Sequence, residues 1–129
     1  MKLIDKLLAG LNQNQKEAVM DTDGPSLIVA GAGSGKTKVL TTKLAYIISE
    51  KKAWSNQILC VTFTNKAARE MQNRIISNLK NVSNSLPWLG TFHSISVKIL
   101  RRHADVLGYK SNFTILDTDD QKKLLKKIL

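Results

Sequence analysis

Short apolar runs alternate along the chain with longer stretches in which apolar residues recur at helical spacing. Two runs are rich in β-branched residues, SLIVA at residues 26–30 and ILCVTF at 58–63. This composition is typical of strands that are buried on both faces of a parallel sheet. WLGTF at 88–92 and FTIL at 113–116 are weaker strand candidates. The alternation predicts an α/β fold with a parallel sheet and flanking helices.

Helical periodicity follows the two stronger strand candidates. Apolar residues recur three and four positions apart after the glycine-rich stretch that begins at Ala30, and again after Thr64. A further helix is expected at about 93–107, with Gly108 as its stop, and a last one opens at the capping-box pattern TDDQ, residues 118–121. Because that helical pattern continues to the last residue without a stop signal, we expect the chain to be a fragment of a longer protein.

Composition narrows the class of protein. The chain has 129 residues, of which 43% are hydrophobic and 23% charged, as in an ordinary globular domain. Twenty Lys and Arg against ten Asp and Glu give a net charge of +10, which favours a polyanionic partner such as nucleic acid. One cysteine and two histidines allow neither an internal disulfide nor a metal cluster. No signal-peptide core or long apolar run is present, so we expect a cytoplasmic protein without a membrane partner.

The stretch AGAGSGKT, residues 30–37, lies between a strand candidate and a helix. Backbone N–H groups of such a turn can surround a phosphate, and the helix N-terminus adds partial positive charge. This arrangement predicts binding of ATP and Mg²⁺, with Lys36 on the β and γ phosphates and the Thr37 hydroxyl on the metal. These two are the candidate catalytic residues. The alternative is a glycine-rich turn with an incidental lysine. The predicted nucleotide-binding residues of the loop are Ala30, Gly31, Ala32, Gly33, Ser34, Gly35, Lys36 and Thr37.

Four stretches together resemble a known family. LNQNQKEAV, AGAGSGKT, VTFTNKAAREM and GTFHS occur in the order and spacing of the N-terminal part of UvrD/Rep/PcrA-type superfamily 1 DNA helicases. The resemblance begins at about residue 11 and implies a P-loop NTPase (RecA-like) fold that is an incomplete domain here. Residues 1–116 would be the first part of the N-terminal ATP-binding domain, and 117–129 the start of a helical insertion or subdomain. The implied activity is an ATP-dependent 3′ to 5′ DNA helicase that translocates on single-stranded DNA in repair or replication.

The resemblance adds two nucleotide-binding candidates outside the loop. It makes Gln15 the residue that contacts adenine, because a side-chain amide offers a donor and an acceptor to the N6 and N7 edge of that base. The alternative is that Asn12-x-x-Gln15 forms a capping box and the amide of Gln15 serves the backbone. Lys38 lies where relatives commonly carry arginine. A lysine keeps the positive charge but lacks the planar guanidinium that stacks on a base.

The resemblance also implies contacts with single-stranded DNA and with ss/dsDNA junctions. Aromatic faces stack on any base, and short polar side chains at a helix N-terminus can hold phosphate. The implied DNA-binding residues are Phe63, Thr64, Asn65, Thr91, Phe92 and His93. Each has a structural alternative. Phe63 could be the last core residue of its strand, Thr64 or Asn65 an N-cap, Phe92 partly core, and His93 structural or merely exposed.

ATP hydrolysis by helicases of this family requires, besides the glycine-rich loop, an Asp-Glu pair at the end of a strand. This second motif is absent from the sequence. No Asp-Glu pair follows a strand candidate; Asp117 follows an apolar run, but no Glu comes after it. We therefore expect these residues alone to bind ATP without turning it over. Two other functions stay open: a different P-loop enzyme such as a small-molecule kinase, and a non-enzymatic single-strand-binding module.

Overall fold

The computed structural model describes residues 2–79 and 86–129. The chain forms two compact units, one ending at Ile95 and the other beginning at Ser96. The described helices are α1 Leu3–Ala9, α2 Gln13–Met20, α3 Lys36–Ser49, α4 Asn65–Asn78, α5 Phe92–His103 and α6 Thr118–Ile128. The described strands are β1 Cys60–Thr62 and β2 Leu89–Thr91, and short 3₁₀ turns lie at Ser55–Gln57 and Ala104–Leu107.

The sheet pairs β1 with β2 in parallel, with Cys60 opposite Leu89 and Thr62 opposite Thr91. Helix α4 lies between the two strands in the chain, as a parallel pair requires of its connection. The prediction of a mixed α/β fold with a parallel sheet is confirmed at this level. Because parallel strands end at the same edge, the residues that follow Thr62 and Thr91 lie side by side.

Two apolar clusters hold the first unit together. In the smaller cluster, Leu11, Val19 and Val39 join α2 to α3. The larger cluster joins the sheet to α3 and α4, and burial in it raises the pKa of the Cys60 thiol, which keeps that group uncharged. Its buried members are Leu44, Cys60, Ala68, Met71, Ile75, Leu86 and Leu89.

Two of the four strand predictions are wrong. Residues 26–30 form no strand, and Leu27 and Val29 are 89% and 88% exposed. Residues 113–116 form no strand either. The composition of these runs favours β structure, but a strand also needs a neighbour for its N–H and C=O groups. Within the described residues, β1 and β2 pair only with each other, so neither run has a partner.

The second unit begins within α5 and contains α6. Gly108, at φ 75°, ends the 3₁₀ turn that follows α5, so its predicted role as a stop is confirmed. The capping prediction for α6 is wrong by one residue. Asp117 is the N-cap, and its Oδ1 accepts a hydrogen bond from the N–H of Asp120 at 2.7 Å. Both Asp and Thr cap helices well, and the negative charge of Asp is additionally favourable at a helix N-terminus.

The second unit also contains a contact between a cation and an aromatic ring. The guanidinium carbon of Arg101 lies 4.7 Å from the centre of the Phe113 ring, and its Nη1 donates to the Ser111 carbonyl at 2.6 Å. These contacts hold the segment after Gly108 against α5. No helix in the described ranges is both long and apolar enough to cross a membrane.

Candidate nucleotide-binding loop and nucleic-acid interface

The glycine-rich stretch forms a tight turn that leads into α3. Gly33 and Gly35 have φ angles of 75° and 82°, in the left-handed region that favours glycine. Gly35 is the N-cap of α3, which has no side-chain cap hydrogen bond. The N–H groups of the first turn of α3 therefore face the loop without a capping side chain. This is the geometry in which a helix N-terminus can bind an anion.

Lys36 and Thr37 occupy the first turn of α3, and both are exposed. The Lys36 ammonium donates to the Ala30 carbonyl at 3.0 Å, so it lies across the loop toward the first residue of the motif. Ser34 Oγ donates to the Gly31 carbonyl and closes the turn. The loop therefore presents one ammonium, the hydroxyls of Ser34 and Thr37 and several main-chain donors in a small space. Within the described part of the chain, no group of three or more His, Cys, Asp and Glu could hold a metal ion.

Gln15 joins α2 to the loop. Its N–H donates to Asn12 Oδ1 at 2.9 Å and its Oε1 accepts from the N–H of Asn12 at 3.0 Å, so the predicted capping box is confirmed. Its Nε2 also donates to the Ser34 carbonyl at 3.1 Å. A side-chain amide has two lone pairs on oxygen and two hydrogens on nitrogen. One of each is used by the protein, which leaves one acceptor and one donor for a ligand.

A cleft of about 250 Å³ lies between α2 and the loop. One side presents the amides of Asn12, Asn14 and Gln15, and the other side is largely apolar, with Ile28 and Val39. A flat heterocycle with polar edge groups suits such a cleft, because ligand sites combine apolar walls with a few placed polar groups. Its remaining lining residues are Ala18, Val29, Ala30, Ser34 and Lys36.

Two lysines of α3 bind main-chain groups at the two ends of α2. The Lys38 ammonium donates to the Gly10 carbonyl at 2.8 Å, just before α2. The Lys43 ammonium donates to the carbonyls of Ala18 and Asp21, at 3.0 and 2.6 Å, near the end of α2. Lys43 is a residue that sequence reasoning missed. Its partners are carbonyl groups of residues far away in the chain, and periodicity carries no signal for such contacts.

An aromatic pair lies at the edge where the two strands end. The ring centres of Phe63 and Phe92 are 5.3 Å apart, with an angle of 43° between the ring planes. Phe63 is 88% exposed and Phe92 is 52% exposed. The alternative that Phe63 is the last core residue of its strand is therefore wrong. The pair presents an aromatic surface to solvent at the N-termini of α4 and α5.

Two threonines cap the helices that begin beside this aromatic pair. Thr64 Oγ1 accepts from the N–H of Ala67 at 3.1 Å, so the N-cap alternative for Thr64 is confirmed. Thr91 Oγ1 accepts from the N–H of Ser94 at 3.1 Å, and Thr91 is buried. In the first turns of α4 and α5, the side chains of Asn65 and His93 are exposed. All six residues predicted to bind DNA line one open cleft of about 560 Å³, together with Ser94: Phe63, Thr64, Asn65, Thr91, Phe92 and His93.

Residues 11–129 match the UvrD/REP helicase N-terminal domain family. The chain belongs to this family. It is 54% identical over 125 residues to a Bacillus subtilis (strain 168) protein named ATP-dependent DNA helicase PcrA, a match that covers 97% of this chain and 17% of that protein. It is 50% identical over 126 residues to the protein of the same name from Staphylococcus aureus (strain Mu50 / ATCC 700699), covering 98% and 17%. The chain thus spans 17% of the length of these relatives.

In this UvrD/REP family member, Gly90 allows the close approach of β2 to the first turn of α5. A Cβ at Gly90 would lie 2.6 Å from Ser94 Oγ and 3.4 Å from Ile95 Cδ1. Ser94 Oγ also donates to the Thr91 carbonyl at 3.1 Å, so moving it would break that bond. We expect Gly90→Ala to lower the free energy of unfolding by about 1–3 kcal/mol, as overpacking usually does.

Thermal or urea unfolding of Gly90→Ala measures this effect. The Ser94→Ala background is the control, because it lacks the atom that Cβ would meet, and Gly90→Ala should cost less there. An equal loss of stability in both backgrounds would show that Ser94 is not the obstacle.

Proposed function

We propose that this chain is the ATP-binding N-terminal part of an ATP-dependent DNA helicase that moves 3′ to 5′ along single-stranded DNA. The observation that carries the proposal is the exposed Phe63–Phe92 pair, which lies at the carboxyl ends of two parallel strands in the same unit as the glycine-rich loop. Family membership supports it, and the relatives named above are ATP-dependent DNA helicases.

ATP binds with its phosphates in the loop, residues 30–37. The left-handed Gly33 and Gly35 let the backbone approach the anion, and the N-terminus of α3 faces it. Lys36 contacts the β and γ phosphates. The exposed Thr37 hydroxyl fits Mg²⁺, an ion that proteins commonly hold through few side chains together with substrate phosphates. When bound, Mg²⁺ neutralises phosphate charge at this position.

Adenine occupies the cleft between α2 and the loop. The free donor and acceptor of Gln15 match the N7 and N6 groups of adenine, whereas guanine has an oxygen in place of the N6 amino group. The capping box and the bond to Ser34 fix the amide before the base binds. Gln15 therefore reads the base without a further loss of side-chain freedom. Lys38, the other candidate outside the loop, acts on this site from outside the cleft, since its ammonium is bound to the Gly10 carbonyl.

Single-stranded DNA lies in the cleft formed by the two strand ends. Phe63 and Phe92 stack on bases, since every base has an aromatic face. The N-termini of α4 and α5, with the exposed Asn65 and His93, bind phosphate without reading sequence. Thr64 serves as a cap and keeps its hydroxyl hydrogen for DNA. Thr91 is buried, so it acts mainly by fixing the first turn of α5.

The wider assignment follows the same proposal. Residues 1–116 are the first part of a RecA-like domain and 117–129 begin a helical subdomain; the compact units divide earlier, after Ile95, so this boundary stays a prediction. We place the complete protein in the cytoplasm, at ss/dsDNA junctions, in DNA repair or replication. A small-molecule kinase would explain the glycine-rich loop alone, and a non-enzymatic single-strand-binding module would explain the basic charge alone. Neither explains both motifs or membership of the helicase family.

The test uses the complete product of the gene that encodes these residues, with partial duplexes carrying a 3′ or a 5′ single-stranded tail. With ATP and Mg²⁺, we expect strand separation from the 3′-tailed substrate and much slower separation from the 5′-tailed one. Residues 1–129 alone are the control and should release no phosphate above background, because they lack the Asp that assists Mg²⁺ and the Glu that polarises the attacking water.

Equal separation of both tailed substrates would overturn the polarity. Failure to separate either substrate, with transfer of the γ-phosphoryl group of ATP to a small-molecule acceptor, would favour the kinase alternative. DNA-stimulated phosphate release by residues 1–129 alone would show that these residues already contain a complete site for ATP hydrolysis.

A further inference from the structure

Lys38 makes a contact that direct binding of a nucleotide does not require. Its ammonium donates to the Gly10 carbonyl at 2.8 Å, across 28 positions of the chain. Gly10 is the C-cap of α1 and lies two residues before Asn12, the N-cap of α2. The contact therefore ties the link between α1 and α2 to the first turns of α3.

The neighbour of Lys38 in α3 supports the same link. Val39 is buried in the cluster that also contains Leu11, the residue between Gly10 and Asn12. One charged and one apolar contact from adjacent positions of α3 thus hold two consecutive residues of the link, Gly10 and Leu11. A charged hydrogen bond to a carbonyl has a direction, which apolar packing lacks, so it can fix the orientation of the main chain.

The orientation of this link determines where the Gln15 amide lies. Asn12 caps α2 through Gln15, in the pair of hydrogen bonds described above, and Gln15 Nε2 reaches the Ser34 carbonyl. A Cβ at Gly35 would lie 3.0 Å from the same Nε2, so the amide fits closely against the loop. A shift of the link by a fraction of an ångström would move the amide along the cleft in which we place the base.

We infer that Lys38 is a positioning residue for adenine recognition, which acts through the Gly10–Asn12 link and Gln15 and does not contact the base. This inference rests on the proposed role of Gln15. Lysine has no planar guanidinium to stack on a base, and in the structure its ammonium is directed to a carbonyl of the protein. The ligand concerned is the adenine ring, and the phosphates are held independently by the loop.

The experiment measures the ratio of ATP affinity to GTP affinity in the complete gene product, by competition with a fluorescent nucleotide. Inorganic tripolyphosphate is the probe for the phosphate site alone. Lys38→Met keeps most of the side-chain stem but removes the donor. We expect it to reduce the ATP-over-GTP ratio about three- to tenfold, the range one hydrogen bond supplies, and to leave tripolyphosphate affinity within about twofold. Lys38→Arg keeps a donor and should keep the ratio only where Gln15 is intact, because a guanidinium stacked on the base would act without Gln15.

Lys51→Met is the matched control for charge. Lys51 is exposed and lies two positions beyond the end of α3, which is about 20 Å long, so its loss should leave the base ratio unchanged. Lys38→Gln is the second variant if Lys38→Met does not fold, and the melting temperature of each variant is measured. Gln15→Ala, alone and combined with Lys38→Met, completes a double-mutant cycle.

The cycle separates the possible failures. If Gln15→Ala leaves the base ratio unchanged, the proposed role of Gln15 is wrong and the inference falls with it. If Gln15→Ala abolishes the preference for ATP while Lys38→Met keeps it, the positioning role alone is overturned. If Lys38→Met reduces the ratio equally in the Gln15→Ala background, Lys38 contacts the base directly and the inference is wrong. If adding Lys38→Met to Gln15→Ala lowers the ATP-over-GTP ratio no further, the positioning role is supported.

Discussion

Lys36→Ala should weaken Mg-ATP binding by about ten- to a hundredfold, the range expected when a charged hydrogen-bond donor is removed. The Lys36 ammonium lies across the loop on the Ala30 carbonyl, at 3.0 Å. The ammoniums of Lys38 and Lys43 donate to carbonyls at the two ends of α2, outside the loop. Lys36 therefore brings to the loop a positive charge that neither of these neighbours can replace.

Titration with a fluorescent ATP analogue measures this effect, in the wild type and in each variant. Lys36→Ala removes an exposed hydrogen bond, so the melting temperature should change little. Lys51→Met again controls for the loss of one positive charge at a distance. Equal affinity of the wild type and Lys36→Ala for the analogue would show that the loop is not a phosphate site and that the lysine in it is incidental.

Local signals in the sequence predicted helices α3 to α6 and the two paired strands, whereas no helix was predicted at α1, Leu3–Ala9. Helical spacing located α3 and α4, and the capping pattern Asn12-x-x-Gln15 is present in the structure. These features depend on residues close together in the chain, whose propensity and periodicity are visible in the sequence. Residues 26–30 show the limit of this information, because a β-branched run becomes a strand only where a neighbouring strand pairs with it.

The sequence named candidate site residues but could not predict their internal contacts. The motifs indicated which residues surround the loop and the strand edge, and the structure brings the six strand-edge residues into one cleft. The sequence left two interpretations of Gln15 open, a cap or a ligand contact. The amide has enough donors and acceptors for both, and only the distances to Asn12 and Ser34 show how it divides them.

The lysine contacts around α2 illustrate what local patterns do not contain. Lys38 and Lys43 lie on α3 at ordinary positions for solvated charges, yet both reach carbonyls more than twenty positions away in the chain. Such bonds depend on the packing of α2 on α3, which the buried Val19 and Val39 create. Charge patterning alone would place both lysines in solvent.

Phe63→Ala should weaken binding of single-stranded oligonucleotides in the complete gene product by about five- to a hundredfold, while ATP affinity stays nearly unchanged. Loss of one stacked aromatic costs about 1–3 kcal/mol per base. Phe63 is 88% exposed, so its removal should cost little stability. A buried phenylalanine would instead cost about 3–5 kcal/mol and impair both ligands together through unfolding.

Two further variants accompany Phe63→Ala: His93→Ala tests a phosphate contact, and Trp54→Ala is the control. His93 is exposed in the first turn of α5, and as a phosphate contact its loss should weaken binding to all oligonucleotide sequences evenly. Trp54 is 69% exposed and does not line the cleft that contains Phe63, so Trp54→Ala controls for the loss of an exposed aromatic. Its oligonucleotide affinity should match the wild type.

Melting temperature, ATP-analogue affinity and oligonucleotide affinity are therefore measured on the same preparations of each variant. Phe92→Ala should weaken binding as well, because Phe92 supports the Phe63 ring at 5.3 Å and shares its exposed surface. The effects of the two phenylalanines should then be less than additive in the double variant, since residues in contact share one interaction. A folded Phe63→Ala protein that binds oligonucleotides at wild-type strength would remove Phe63 from the proposed DNA interface.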